Sequence, residues 1–261
     1  MGKDGSLVVV GIGINLAQTT LEAKASIEKA DKVFYLVSDP LAARWIRKLN
    51  TSSESLYSLY EVGTDRLDTY NLMIETIMEA VSKGLKVCAA FYGHPGVFVD
   101  PSHRVIQQAL REGYSARMLP GVSAEDCLFA ELGIDPSKFG CQSFEATDFL
   151  ICDRKFDPSS SLVLWQVGAI GDLTYQKSYD TSGIGVLLDK LLPVYGKRQS
   201  VTLYEASAFP NCKSKIVSLP LVDLAEADVT SVSTLYIPPK EQSIPNRNIM
   251  RKLGMQGFLA D

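Results

Sequence analysis

Residues 85–99 read LKVCAAFYGHPGVFV, an apolar run that passes into a turn containing two glycines and a proline. The run from Leu85 to Ala90 predicts a buried strand, because short continuous apolar runs are typical of central strands. A glycine after a strand lets the backbone approach a ligand closely, since no Cβ stands in the way. We therefore interpret this stretch as the floor of a ligand site.

The first half of the chain predicts an α/β domain in which helices alternate with strands. Residues 7–10 form a short apolar run that leads into the turn Gly11-x-Gly13, and a helix at about 20–30 and a strand at 33–37 follow. Strand, turn, helix and strand in this order make a βαβ unit. Further helices are predicted at 40–50, 71–82, 104–112 and 124–132, with a strand at 115–119 and a polar connection at 51–55.

The second half is richer in strands and predicts a second α/β domain with a mixed sheet. Strands are predicted at 145–151, 161–166, 200–205 and 233–237, a short edge strand at 215–220, and a helix at 185–195. We divide the chain into an N-terminal domain, 1–119, a C-terminal domain, 120–242, and a tail, 243–261. A cleft between two domains is the default place for a ligand.

Composition excludes several classes of function. The net charge of −4 offers no general attraction for nucleic acid. No apolar stretch approaches the length of a membrane helix, and the N-terminus lacks a signal peptide, so we expect a cytoplasmic protein with no membrane partner. The five cysteines contain no Cys-x-x-Cys pair and the two histidines lack a metal-ligand spacing, which disfavours a disulfide framework and a metal site.

Two local motifs each have a purely structural interpretation as well as a functional one. The turn Gly11-x-Gly13 resembles a dinucleotide fingerprint, but Leu16 stands where the third glycine belongs, so a nicotinamide site is disfavoured and a plain tight turn is the alternative. Arg66 and Tyr70 are four residues apart and share a helix face if the helix begins near Asp65. The purely structural interpretation of this pair is an exposed arginine beside a half-buried tyrosine.

Three segments together resemble the signatures of the tetrapyrrole methylase family, whose members are S-adenosylmethionine-dependent enzymes built from two α/β domains with the cofactor between them. The first is Val10-Gly11-Ile12-Gly13 with the helix that follows, although Ile14-Asn15 replaces the usual Pro-Gly. The second is the turn at 92–98, with His94 where aspartate is usual. The third is Pro120-Gly121-Val122-Ser123-Ala124. The resemblance spans residues 6–240.

The second and third segments look like the borosin branch of that family, which methylates peptide backbone amides. Five residues fall in the order and spacing of that branch's active site: Tyr57, Tyr60, Arg66, Tyr70 and Tyr92. The resemblance implies an iterative α-N-methyltransferase and a homodimer that binds one precursor peptide per subunit. Because the chain ends in Phe258-Leu259-Ala260-Asp261 without an apolar core repeat, we expect a split type that acts on a separate precursor.

The resemblance also implies a site for S-adenosylmethionine, which leaves as S-adenosylhomocysteine, and no metal. The residues expected to bind this cofactor are Gly11, Gly13, Tyr92, His94, Val97, Phe98, Ser123, Ala124, Gln166 and Val167. Backbone groups of the glycine loops would hold the methionine and ribose portions, and Phe98 would pack on the adenine. For His94 the alternative is a turn histidine whose ring bonds to the backbone.

The residue types suit amide methylation. An amide nitrogen becomes nucleophilic when negative charge develops on its oxygen, so donors for that oxygen and a base near the nitrogen are needed. Arg66 and Tyr70 are the expected donors. Tyr60 or Tyr57 is the expected base, provided that Arg66 lowers the phenol pKa. Tyr92 would position the methyl donor, and holding the reactants in line can supply roughly 7–11 kcal/mol.

Two other functions remain open from the sequence. A tetrapyrrole C-methyltransferase of corrin or sirohaem synthesis would need basic residues facing the ring carboxylates, whereas the expected site residues are mostly tyrosines. A non-catalytic domain that binds cofactor or peptide as a regulator is the third possibility.

Overall fold

The structure is a computed structural model that describes residues 3–37, 39–209, 211–241 and 244–255. It contains two compact units, and the predicted fold class of two α/β domains is confirmed. The first unit comprises the residues up to Ile134 with Gly171–Asp180 and Tyr204–Ile216, and the second comprises Asp135–Ile170, Thr181–Leu203 and the residues from Val217 onward. Each unit thus contains segments from several parts of the chain, whereas the predicted division is into the continuous ranges 1–119, 120–242 and 243–261. Phe258–Asp261 lies outside the described residues.

The first unit contains a five-stranded sheet. Its strands are β1 (Ser6–Gly11), β2 (Lys32–Leu36), β3 (Ser53–Ser55), β4 (Lys86–Phe91) and β5 (Ser115–Met118). Its helices are α1 (Leu21–Lys29), α2 (Pro40–Leu49), α3 (Arg66–Ser82), α4 (Asp100–Arg111) and α5 (Ala124–Leu132), with 3₁₀ turns at Leu16–Gln18 and Leu56–Leu59. The strand order is β3-β2-β4-β1-β5, and the four pairings are parallel.

Alternating side chains of this sheet pack into separate cores on its two faces. In β1, Leu7 and Val9 belong to the core that includes Met73 of α3, whereas Val10 belongs to the core that includes Ile27 of α1. Successive residues of a strand point to opposite faces, so a continuous apolar run fits a strand covered on both sides. The apolar runs of β1 and β4 therefore identify them as central strands, as predicted.

The remaining strands form a second, mixed sheet. They are β6 (Cys141–Glu145), β7 (Ser161–Trp165), β8 (Ser200–Glu205), β9 (Lys215–Pro220) and β10 (Thr234–Ile237), in the order β6-β7-β10-β8-β9. The later helices are α6 (Pro136–Phe139), α7 (Ala146–Ile151), α8 (Gly183–Tyr195) and α9 (Arg247–Lys252), with 3₁₀ turns at Val167–Ala169 and Leu221–Glu226. Strand β7 pairs parallel to β6 and antiparallel to β10, which confirms the mixed sheet.

Two secondary-structure predictions are wrong. Residues 145–151 form helix α7 rather than a strand, because the Glu145 carboxylate caps the helix by accepting from the Asp148 N–H at 2.6 Å. The buried Ala146 and Phe149 are three apart, a helical spacing, and Ile151 is 75% exposed. The polar connection at 51–55 contains β3, which tolerates serine and glutamate because it is an edge strand beside β2.

The start of α3 decides where the candidate catalytic residues lie. Asp65 is its N-cap, and the Asp65 carboxylate accepts from the Leu67 N–H at 2.7 Å. Arg66 is therefore the first helical residue, and Tyr70 lies one turn later on the same face. The helix thus starts before the predicted 71–82, and the condition for Arg66 and Tyr70 to share a helix face is met.

Candidate functional site

The carboxyl edge of the first sheet contains a topological switch point. The chain leaves β1 toward β2 on one side and leaves β4 toward β5 on the other, although β1 and β4 are neighbours. Open parallel sheets bind ligands in the crevice outside the carboxyl ends of such strands. The loops after β1 and β4, residues 12–15 and 92–99, are thus placed to form a ligand site.

Glycines from three loops pack against one another at this edge. The Gly13 N–H donates to the Gly93 carbonyl at 3.3 Å, and the Gly93 N–H donates to the Gly13 carbonyl at 2.8 Å. A Cβ on Gly11 would lie 2.2 Å from the Gly93 carbonyl oxygen, and a Cβ on Gly121 would lie 2.9 Å from the same atom. Gly13 also has a φ of +78°, which favours glycine. Close packing of loops is therefore one reason for Gly11 and Gly13.

Replacing Gly11 with alanine is expected to lower the free energy of unfolding by about 1–3 kcal/mol, because the new methyl group meets fixed backbone. Urea unfolding followed by circular dichroism measures the effect. The matched control is Gly185→Ala in α8, where a Cβ meets open space and alanine should stabilise the helix by up to about 1 kcal/mol. Equal stability of the Gly11 variant and the wild type would contradict the packing described for the three loops.

The loop after β4 contains His94, Val97 and Phe98. The His94 Nδ1 accepts from the Gly96 N–H at 2.9 Å, so the proton of the neutral ring lies on Nε2. The backbone-bonded turn histidine weighed above is thus present, and Nε2 stays available as a donor. Phe98 has a φ of +55° and is 52% exposed. A phenylalanine in the left-handed region is strained, and such strain clusters at ligand sites.

Ser123 and Ala124 lie at the start of α5, after β5. The Ser123 hydroxyl donates to the Asp126 carboxylate at 2.6 Å, its N–H donates to the same oxygen at 2.7 Å, and the Asp126 N–H donates back to the hydroxyl at 3.1 Å. This capping box starts α5 at Ala124, the first residue of the predicted helix. The polar groups of Ser123 are therefore already engaged in starting the helix.

Gln166 and Val167 belong to the second unit and follow β7. Gln166 has a φ of +58°, and Val167 is buried, with its N–H donating to the Ser233 carbonyl at 3.1 Å. Phe98 and Gln166 are two of the three non-glycine residues with a positive φ in the described chain, the third being Asp153. Backbone strain thus occurs at two of the expected cofactor-binding positions.

The first unit brings together the predicted catalytic residues, which we call the tyrosine–arginine cluster: Tyr57, Tyr60, Arg66, Tyr70 and Tyr92. The ring centroids of Tyr57 and Tyr60 lie 5.7 Å apart. Tyr70 and Tyr92 lie close enough to Tyr60 to affect its ionisation, and Tyr70 lies close enough to Tyr92 to affect that of Tyr92. Tyr60 and Tyr70 also pack on the core beside Met73, which keeps them in place.

Sequence reasoning missed two further tyrosines, Tyr175 and Tyr179. Asp65 and Thr174 form an isolated antiparallel β-bridge, which places residues 171–180 against the start of α3. The Tyr175 hydroxyl lies 2.8 Å from that of Tyr57, and its ring centroid lies 4.8 Å from that of Tyr60. The available signal was two tyrosines in a short polar segment, DLTYQKSYD at 172–180.

The Arg66 guanidinium is anchored by this segment. Its Nε donates to the Thr174 carbonyl at 3.1 Å and its Nη2 donates to the Tyr179 hydroxyl at 3.1 Å. Burial by itself lowers the Arg66 pKa, but the bond to Tyr179 and the charge of Asp172 act in the other direction and raise it overall. Arg66 is therefore a fixed positive charge beside the tyrosines.

The expected lowering of a phenol pKa is wrong for Tyr60. Burial raises the Tyr60 pKa, the neighbouring Tyr70 and Tyr92 raise it further, and the opposing effect of Arg66 is smaller. Burial also raises the pKa of Tyr70 against Arg66. Desolvation acts on the Tyr92 pKa in the same direction, although 51% of the Tyr92 surface is exposed. Desolvation of a phenolate outweighs the attraction of one guanidinium here. These three tyrosines consequently stay protonated near neutral pH.

In residues 3–37, 39–209, 211–241 and 244–255, no helix is long and apolar enough to cross a membrane. In the same ranges, no three His, Cys, Asp or Glu side chains are grouped as they would be around a metal ion.

Comparisons with known proteins agree with the fold. The family described as tetrapyrrole (corrin/porphyrin) methylases matches residues 6–217. The chain is 48% identical over 95% of its length to a methyltransferase and ribosomally synthesized cyclic peptide gymnopeptides precursor of Gymnopus fusipes, and spans 61% of that relative. It is 43% identical, over 97% of its length and 68% of the relative, to a methyltransferase and type I borosin cyclic peptide precursor of Coprinopsis marcescibilis.

A solved structure shows the same fold at low sequence identity. The uroporphyrin-III-C-methyltransferase of Thermus thermophilus superposes with a TM-score of 0.63 at 17% identity, covering 90% of this chain and 93% of that one. The chain spans about three-fifths of the length of the Gymnopus relative.

Proposed function

Because this chain belongs to the tetrapyrrole methylase family, we propose that it is an S-adenosylmethionine-dependent α-N-methyltransferase that iteratively methylates backbone amides of a ribosomal precursor peptide. The observation that carries the proposal is the tyrosine–arginine cluster in the first unit, with Arg66 held by two hydrogen bonds. Two relatives are each described as both a methyltransferase and a cyclic peptide precursor, which supports a peptide substrate.

Arg66 and Tyr70 supply the donors that the reaction needs. As an amide nitrogen attacks a methyl group, negative charge develops on the amide oxygen, and preorganised donors stabilise it. A guanidinium has five N–H donors, and the bonds to Thr174 and Tyr179 use two of them. The raised pKa of Tyr70 keeps its phenol protonated, so its hydroxyl can also donate. The amide oxygen would lie between these two side chains.

The geometry favours Tyr57 over Tyr60 as the base for the amide proton. Tyr60 is desolvated and its pKa is raised, which disfavours a phenolate there. The Tyr57 side chain is 46% exposed, and its hydroxyl lies 2.8 Å from that of Tyr175. At that distance the Tyr175 hydroxyl is placed to donate to the Tyr57 oxygen, which orients the Tyr57 hydroxyl. Tyr60 then acts as a neutral phenol that supports Tyr70.

The loops at the carboxyl edge fit the expected cofactor. S-adenosylmethionine supplies an electrophilic methyl group on a sulfonium and is released as S-adenosylhomocysteine. Gly11 and Gly13 bring backbone groups to the crevice, and Phe98 presents a half-exposed aromatic ring in a strained conformation. We assign Phe98 to the adenine, His94 Nε2 to a polar atom of the cofactor, and Tyr92 to the junction of cofactor and amide. Val97, Ser123, Ala124, Gln166 and Val167 complete the proposed set.

Replacing Phe98 with glycine is expected to weaken binding of S-adenosylmethionine about tenfold or more, since stacking of a base on an aromatic ring contributes about 1–3 kcal/mol. The free energy of unfolding should change by less than about 1 kcal/mol, because relief of the left-handed strain offsets the greater freedom of the unfolded chain. Isothermal titration calorimetry and urea unfolding measure the two effects.

The matched control is Asp153→Gly, which relieves a positive φ of 42° in the second unit. This variant should bind the cofactor like the wild type. Equal affinity of the Phe98 variant and the wild type would remove Phe98 from the site.

The proposal is tested by offering the protein two substrate classes with isotopically labelled S-adenosylmethionine. The peptide is the segment of the Gymnopus relative that this chain does not match, supplied either as a separate molecule or joined to the chain. The ring substrate is uroporphyrinogen III. We expect label in the peptide, as mass increments of one methylene each. Label in the ring alone would support tetrapyrrole methylation instead, and cofactor binding without transfer would support a regulator.

Comparing the free peptide with the joined peptide tests whether the enzyme acts on a separate precursor. The separate precursor expected above requires labelling of the free peptide, whereas labelling of the joined peptide alone would restrict the enzyme to a fused substrate. The homodimer with one precursor per subunit is part of the same proposal. Light scattering with and without peptide tests it, with two peptides per two chains expected.

A further inference from the structure

We infer that Tyr179 is a positioning residue that holds the Arg66 guanidinium in the orientation required for transfer. The inference rests on the proposed function, because it assigns Tyr179 a role through Arg66 in amide methylation. It goes beyond that function by linking activity to residues 171–180, which lie more than a hundred positions along the chain from Arg66.

Backbone hydrogen bonds dock this segment onto the residues before α3. The Gly63 N–H donates to the Tyr175 carbonyl at 2.9 Å, and the Tyr175 N–H donates to the Thr64 carbonyl at 3.0 Å. The Arg66 N–H donates to the Leu173 carbonyl at 3.1 Å. The segment therefore lies in a defined register beside Arg66. This register holds the backbone that carries Tyr179 in place relative to the guanidinium.

The Tyr179 hydroxyl connects three groups. It accepts from Arg66 Nη2 at 3.1 Å and from the Gln176 N–H at 3.0 Å, and it donates to the Thr174 carbonyl at 3.4 Å. The same Thr174 carbonyl accepts from Arg66 Nε at 3.1 Å. Two acceptors thus hold two edges of one planar guanidinium, which fixes its plane as a single bond could not.

The Tyr179 ring adds a second kind of contact. The Arg66 Cζ lies 5.5 Å from the ring centroid, within the range of a cation–π interaction. Tyr179→Phe keeps this ring and removes only the hydroxyl. That variant therefore separates orientation of Arg66 from packing around it.

The turn that contains Thr174 is braced within the segment itself. The Asp172 carboxylate accepts from the Thr174 N–H at 2.8 Å and from the Thr174 hydroxyl at 2.6 Å, and Gln176 Nε2 donates to that hydroxyl at 2.8 Å. Removal of the Tyr179 hydroxyl should leave this turn in place. The guanidinium then keeps only its bond to the Thr174 carbonyl and can rotate about that bond.

We expect Tyr179→Phe to lower the rate of a single methyl transfer about 10- to 100-fold, because misplacement by about an ångström has that effect. The affinity for S-adenosylmethionine and the unfolding temperature should stay within error of the wild type. The matched control is Tyr35→Phe, which removes a 3.0 Å bond from Arg47 Nη1 to a tyrosine hydroxyl in β2. This control should leave the transfer rate unchanged.

A second readout follows Arg66 itself and needs no substrate. The Arg66 Nε–H resonance, assigned by its disappearance in Arg66→Lys, should show slow hydrogen exchange in the wild type. Exchange should become at least about tenfold faster in Tyr179→Phe and not in Tyr35→Phe. Unchanged exchange in Tyr179→Phe overturns the inference, whatever happens to the rate. Faster exchange in a protein that methylates no peptide supports the positioning of Arg66 and refutes the proposed function alone.

Discussion

Arg66→Lys is expected to lower the rate of peptide methylation about 10²- to 10³-fold while the affinity for S-adenosylmethionine stays unchanged. Removal of one donor from an oxyanion site has an effect of this size. Lysine keeps the positive charge but lacks the planar fork of arginine. That fork bonds to Thr174 and Tyr179 and still has N–H donors left for an amide oxygen. Single-turnover kinetics with saturating cofactor and peptide measure the rate, and calorimetry measures the affinity.

Arg47→Lys is the matched control for this substitution. Arg47 also donates to a tyrosine hydroxyl, that of Tyr35, but it lies on α2. We expect a normal rate from this variant. If Arg66→Lys transferred methyl groups as fast as Arg47→Lys, the guanidinium would have no part in stabilising the amide oxygen.

The second large effect distinguishes the two candidate bases. Tyr57→Phe is expected to slow transfer about 10²- to 10⁴-fold, the range for loss of a general base. Tyr60→Phe should slow it less and should leave the shape of the pH–rate profile unchanged between about pH 7 and pH 10. The reason is that the raised Tyr60 pKa keeps this phenol protonated over the whole interval, so its titration contributes no slope there.

The pH profiles of both variants and the wild type, measured on single transfers, check this assignment. A rising limb that is present in the wild type and absent only from Tyr60→Phe would make Tyr60 the base. Tyr175→Phe gives an independent check, because it removes the hydroxyl 2.8 Å from that of Tyr57 and should slow transfer in the same direction as Tyr57→Phe.

Most of the first unit could be predicted from local sequence. The buried runs of β1 and β4 and the capping box at Ser123 are short-range signals, and β1, β4 and α5 lie where they are predicted. The Asp65 cap starts α3 ahead of the predicted 71–82. Residues 145–151 were mistaken for a strand because Phe149, Leu150 and Ile151 suit a strand, while the Glu145 cap that selects the helix is a single contact.

The candidate site was only partly predictable, for a physical reason. The spacing of Arg66 and Tyr70 on one helix is a local property. The bonds of Arg66 to Thr174 and Tyr179 depend instead on one isolated β-bridge between positions more than a hundred residues apart, and no periodicity indicates its register. The direction of the Tyr60 pKa shift depends in turn on burial among Tyr70 and Tyr92, which composition does not reveal.

The central claim is that the methyl group is transferred to a backbone amide nitrogen. Tandem mass spectrometry of the peptide after reaction with labelled cofactor tests it most directly, with Arg66→Lys as the slow reference sampled at the same early time. We predict that the label maps to fragments whose added methylene lies on the backbone of residues without a nucleophilic side chain. Label found only on side chains or on the peptide termini, or equal labelling by Arg66→Lys, would contradict the account.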